Sequence, residues 1–190
     1  MLQVAEAVLR GGTTLVQYRD KTNDHARRVE EARALRNLCA RYNVPLIVND
    51  DVQLALAIDA AGVHLGEHDA AVATARTQVG PNAIIGVSCY DSLARGRELA
   101  AAGADYLAFG AFYPSPTKPN ARRATLDLLH EAKAFGPPLV AIGGITPDNA
   151  QVLLDAGANY LAVISAVFGA IDPASVAQKY KKLFDADLHG

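Results

Sequence analysis

The 190-residue sequence predicts an α/β protein built on a parallel sheet. Three observations predict it. Short apolar runs alternate with helical stretches along the chain, which is the pattern of strand–helix–strand units. One phrase recurs, in LRGGTTLVQYRD (9–20), DAAGVHLGEHD (59–69), AAGADYLAFG (101–110) and DAGANYLAVIS (155–165). In each, a helical stretch ends in small residues, a glycine follows, and an apolar run begins. Third, the polar and charged residues gather after the apolar runs, on their C-terminal side.

The elements follow in order. A helix begins near residue 2. A first strand runs near 14–19, and Gly12 before it is placed for the left-handed turn that ends a helix. The stretch 24–42 carries Ala26, Val29, Ala32, Ala34, Leu35 and Leu38 at near-helical spacing, with Asp24 as its N-cap. VPLIVND gives a strand near 45–49, followed by a helix near 52–60 that Asp51 is well placed to cap. Further strands fall near 62–66, 84–88, 105–110, 139–143 and 159–164. Gly62, Gly103 and Gly157 are expected at helix ends like Gly12. Thr125 and Thr146 are expected as caps of the next helices, with Pro147 at a first helical position.

Seven strands plus one would close a (β/α)8 TIM barrel. The first strand of that barrel should precede the helix near residue 2, so it is expected to be missing from this sequence. A doubly wound open sheet is the rival arrangement. Neither a linker nor a low-complexity tract interrupts the chain, so residues 1–190 are expected to form one barrel domain.

Composition narrows the function. Half of the residues are hydrophobic (51%) and the net charge is −2. No whole-chain basic field attracts nucleic acid, so an anionic ligand needs a local cationic cluster. The two cysteines, Cys39 and Cys89, lie in apolar patterns and read as buried thiols of a cytoplasmic protein. No apolar run approaches membrane-spanning length, and the start does not read as a signal peptide. A homo-oligomer is left open.

Parallel α/β proteins place their sites at the C-terminal strand ends. Those ends carry Gln17, Tyr18, Arg19, Asp20 and Lys21; Asn49, Asp50 and Asp51; His64, His68 and Asp69; Ser88; Ser115, Pro116, Thr117 and Lys118; Gly143 and Gly144; Ile164 and Ser165. The opposite ends show no comparable set. Gln17, Arg19 and Lys21 alternate onto one face, and two cations two residues apart can grip one anion, unless they only form surface ion pairs. Asp50 and Asp69 end neighbouring strands. With phosphate oxygens they would suit Mg²⁺, which prefers hard oxygen ligands; helix capping is the competing role. His64 reads as a packed or hydrogen-bonded residue. The glycine pair at 143–144 and the start of VISAVFG (163–169) offer backbone N–H groups to a phosphate, although tight turns also use such glycines. No cysteine or serine stands beside an evident base in the sequence, so covalent catalysis finds no support.

As a set, VQYRDK, NDDVQLALAIDAAGVHLGEHD, IGVSCYDS, GADYLAFGAFYPSPTKPNA, AIGGI and AVISAVF resemble the thiamine phosphate synthase family. They occur in order over about residues 9–169. The resemblance implies a (β/α)8 barrel transferase. Its reaction joins hydroxymethylpyrimidine diphosphate to a thiazole phosphate, giving thiamine monophosphate and pyrophosphate. It implies pyrimidine-diphosphate contacts from Gln17, Arg19, Lys21, Asn49, Ser88 and Lys118, and Mg²⁺ ligands at Asp50 and Asp69. The thiazole-phosphate side falls to Ser115, Thr117, Gly144, Ile164 and Ser165, with Pro116 in the same loop. Many members have threonine where Ser115 stands; the hydroxyl is kept. A thiazole tautomerase-like relative and a non-catalytic phospholigand-binding barrel are the alternatives.

Overall fold

The structure is a computed structural model and describes residues 1–67, 71–114 and 122–187. Among the described residues, seven strands form one wholly parallel sheet in sequential order: β1 (Val16–Tyr18), β2 (Leu46–Asn49), β3 (Gly62–Leu65), β4 (Ile84–Tyr90), β5 (Tyr106–Gly110), β6 (Leu139–Ile142) and β7 (Tyr160–Ala162). Sequential order with a helix in every crossover is that of a TIM-like barrel. The doubly wound alternative requires the strand order to reverse, and it does not.

The helices are α1 (Leu2–Arg10), α2 (His25–Arg41), α3 (Val52–Ala57), α4 (Val72–Val79), α5 (Leu93–Ala101), α6 (Leu126–Ala132), α7 (Gln151–Asp155), α8 (Ser165–Phe168) and α9 (Pro173–Asp187). Strand residues of alternate parity separate two layers. Tyr18, Leu46, Val48, Val63, Leu65, Ile85, Val87, Leu107, Phe109, Leu139 and Ala141 belong to the main core under the helices. On the other face, Tyr106, Ala108 and Val140 form a second, smaller cluster with Ile84 and Ala162. That face is the barrel interior.

Helix α1 seats Ala5, Val8 and Leu9 in the core and lies between α2 and α9. Its end comes very close to α9: a Cβ on Gly11 would stand 2.5 Å from the Ala177 Cβ. Cys39 and Cys89 are buried, as expected. Burial pushes the Cys39 thiol up to about 11 and the Cys89 thiol up to about 12.

Two local expectations need correction. Gly12, Gly103 and Gly157 do take positive φ after helices, but Gly62 does not. Gly62 opens β3, and a Cβ there would lie 1.9 Å from the Ile84 carbonyl oxygen. Asp59 takes the left-handed turn of that unit instead, with φ 54°. Thr146 does not cap the next helix, because α7 starts at Gln151. The Thr146 N–H donates to Asn149 Oδ1 at 2.8 Å, and the Asn149 N–H donates to the Thr146 carbonyl. This closed turn uses the groups a helix would need. The N-terminal strand ends, which carry no set comparable to the rim among the described residues, do hold an ion pair: Arg76 pairs with Asp105 at 2.6 Å, and Asp105 accepts the Ile85 N–H. Arg76 arrives from α4, so no strand-by-strand reading finds it.

Candidate active site

The β2–α3 turn carries the strongest local geometry at the C-terminal rim. Asp51 caps α3 by accepting the Leu54 N–H at 2.9 Å, as its position in sequence suggested. Its other oxygen meets Arg28 of α2 at 2.8 Å. That leaves Asp50 free of capping. Its backbone is left-handed (φ 63°), and its N–H donates to the His64 carbonyl at 2.8 Å. A non-glycine residue held at positive φ is over-determined by its surroundings and is often found at functional sites. The Asp50 carboxylate turns towards β1 and pairs with Lys21. Asn49, Asp50 and Lys21 line a groove of about 490 Å³ together with Asp20, Thr22, Arg28, Gln53 and Gln78.

The strand-end run from Gln17 to Lys21 divides. Gln17, between Val16 and Tyr18 on β1, faces the interior. Tyr18 faces the helices and donates to Glu31 at 3.0 Å; burial, then that bond, pushes its hydroxyl up to about 12. Asp20 accepts from the Thr22 N–H at 2.7 Å and from Arg27 at 2.8 Å, and the Thr22 bond chiefly lowers its pKa. The Tyr18 hydroxyl and the Asp20 carboxylate are thus committed to α2 and its approach, while Arg19 is exposed.

Across the interior, Ser88 and His64 meet. Ser88 Oγ lies 2.8 Å from His64 Nε2, and His64 Nδ1 lies 2.9 Å from the Tyr106 hydroxyl. His64 is 8% exposed, hydrogen-bonded as expected. The sequence reading found no serine beside a base; the structure supplies one. The two residues are 24 apart in sequence, and only the register of β3 on β4, His64 opposite Gly86, brings Ser88 within reach.

On the far side, β6 leads into Gly143 and Gly144, with φ 105° and 63°. The segment after β5 is strapped to this turn. Phe112 N–H donates to the Ile142 carbonyl at 3.1 Å, and Tyr113 N–H to the Gly143 carbonyl at 2.9 Å. A Cβ on Gly144 would stand 2.4 Å from the Pro114 carbonyl oxygen. Ile164 and Ser165 are exposed where β7 passes into α8, beside that turn because β7 neighbours β6. His68, Asp69, Ser115, Pro116, Thr117 and Lys118 lie outside the described residues.

Fold and rim together define the class, a TIM-like α/β barrel with polar and charged side chains gathered at the C-terminal strand ends. A family model described as thiamine monophosphate synthase matches residues 1–167. A thiamine-phosphate synthase of Azoarcus sp. is 55% identical over 185 residues, covering 97% of this chain and 90% of that protein. One of Xanthomonas campestris pv. campestris is 55% identical over 171 residues, covering 90% and 83%. A solved thiamine phosphate pyrophosphorylase of Pyrococcus furiosus superposes with a TM-score of 0.90 at 36% identity, covering all of this chain and 91% of that one. The chain belongs to the thiamine monophosphate synthase family and is a transferase.

Proposed function

We propose that the chain joins hydroxymethylpyrimidine diphosphate to thiazole phosphate, forming thiamine monophosphate and releasing pyrophosphate. The observation that carries this reading is the Lys21–Asp50 pair, held at the rim of an open groove beside Arg19. A cation and a carboxylate so placed suit a diphosphate better than a neutral ligand would.

Lys21, Arg19 and Lys118 bind the diphosphate and offset the charge that grows on it as its bond to the pyrimidine methylene breaks. Gln17, Asn49 and Ser88 hold the pyrimidine end. Tyr18 and Asp20 contribute through backbone groups. Gly144, Ile164 and Ser165 receive the thiazole phosphate, with Ser115, Pro116 and Thr117 over it. Diphosphate departs first, and the thiazole nitrogen then captures the pyrimidine cation.

Asp50 fits Mg²⁺, since it is a hard oxygen donor fixed by its own backbone and paired with an exposed lysine, and Asp69 is its proposed partner. When bound, the ion would neutralise diphosphate charge. The test is pyrophosphate release that needs Mg²⁺ and both substrates. No release from folded protein would overturn the reading; binding of thiazole phosphate without turnover would point to a phospholigand barrel.

We also propose that an eighth strand closes the sheet between β7 and β1, completing a single (β/α)8 domain. Its support is the cleft of about 470 Å³ bounded by Met1, Ala5, Val16 and Phe168, with Tyr160 and Phe168 half exposed nearby. Uncovered parallel edges invite pairing. Buried thiols fit a cytoplasmic enzyme.

A further inference from the structure

A polar chain crosses the barrel interior and ends on Ser88. The Tyr106 hydroxyl on β5 meets His64 Nδ1 on β3 at 2.9 Å; His64 Nε2 meets Ser88 Oγ on β4 at 2.8 Å. Three residues from three adjacent strands form one line. It passes because of Gly86. His64, Gly86 and Tyr106 stand side by side in register on β3, β4 and β5. A Cβ at position 86 would lie 1.8 Å from Tyr106 Cζ, so the missing side chain is the space the tyrosine ring occupies. The His64 and Tyr106 rings stack at 5.6 Å.

The direction of the chain follows from its members. Burial pushes the Tyr106 hydroxyl far up, so it keeps its proton, and His64 Nδ1 stands within hydrogen-bond distance of it. The Tyr106 proton is then given to His64 Nδ1. A ring that accepts at Nδ1 carries its proton on Nε2. His64 therefore donates to Ser88, and the serine proton is turned away from the histidine. This is the reverse of a serine nucleophile with a histidine base, in which the serine is the donor.

We propose that Tyr106 and His64 are a positioning relay that makes Ser88 a hydrogen-bond donor, selecting a ligand acceptor such as a phosphate oxygen or a ring nitrogen over a ligand N–H. Tyr106 and His64 act through Ser88. The catalytic part of the test rests on the proposed synthase reading; the spectroscopic part does not.

The experiment labels the five histidines with ¹⁵N and assigns His64 by comparison with His64→Gln. The relay predicts a bare Nδ1 and a protonated Nε2 in the wild type, with the Nδ1 signal moving in Tyr106→Phe. A proton on Nδ1, or on both nitrogens, at neutral pH overturns the proposal. In pyrophosphate release, Tyr106→Phe is expected to lower kcat about tenfold, the size of one lost hydrogen bond, with KM for thiazole phosphate unchanged. His64→Gln, whose amide nitrogen replaces Nε2 as donor, should retain more activity than His64→Leu. Adding Tyr106→Phe to Ser88→Ala should cost nothing further; full additivity overturns the relay. Wild-type protein that releases no pyrophosphate sinks the synthase reading and leaves the tautomer result standing.

Discussion

Arg28 on α2 reaches Asp51 at 2.8 Å and ties the helix to the turn that carries Asp50. Both side chains are partly buried, at 16% and 27% exposure. The Arg28→Ala variant leaves Asp51 with its cap bond alone and frees the turn. It is expected to lose about 1–2 kcal/mol, between the values of exposed and buried pairs, and Arg28→Lys less. Urea unfolding measures both. An unchanged midpoint for Arg28→Ala would mean that the cap alone holds the turn.

Asp50 and Asp51 are adjacent, yet they should fail differently. Asp51→Ala loses a helix cap and an ion pair, so it should lower stability by about 1–3 kcal/mol. Asp50→Ala removes the carboxylate facing Lys21 and should cost on the order of 100-fold or more in turnover, with little change in stability. Paired thermal unfolding and pyrophosphate assays separate the two. The assignment is wrong if Asp50→Ala retains full turnover.

Gly86→Ala should be among the most damaging single-methyl changes in the chain. Its Cβ would overlap the Tyr106 ring, which is buried. Overpacking of this kind costs about 1–3 kcal/mol. It should also disturb the His64 signals, whereas alanine at Gly80, where a Cβ meets nothing within 4 Å but φ is 87°, should leave them alone.

Both thiols should be inert in the folded protein. Raised values mean that the thiolate is scarce below about pH 10, and the thiolate is the reactive form. At pH 8, alkylation should follow unfolding; fast labelling of native protein would contradict the burial. Alkali should act on Tyr18 as well. Its folded value of about 12 lies above the ordinary 10, so its contribution to stability is complete below pH 10 and is lost as pH rises towards 12. Phenolate absorbance against pH, read beside circular dichroism, should show this late step coinciding with unfolding.

Much of the molecule was legible in one dimension. Each apolar run became a strand, because strand length and flanking helices leave a parallel sheet as the way to bury both. Asp24 and Asp51 cap helices as read, since capping depends on residues three apart. The gathering of Lys21, Asn49 and Asp50 was visible too, because C-terminal strand ends of a parallel sheet share one rim.

What needed the tertiary structure is whatever depends on register and on side chains crossing space. Thr146 lost its helix to a turn closed by Asn149. Arg28, unremarkable on a helix, proved to hold the turn beside Asp50. The line from Tyr106 through His64 to Ser88 draws on three strands, and no local pattern announces it. Its one sequence trace is the small residue at Gly86. Local chemistry determines where strands and helices begin, because backbone torsions and caps act over a few residues. Which side chains meet inside the barrel is decided by how strands slide against one another, and that is a property of the whole sheet.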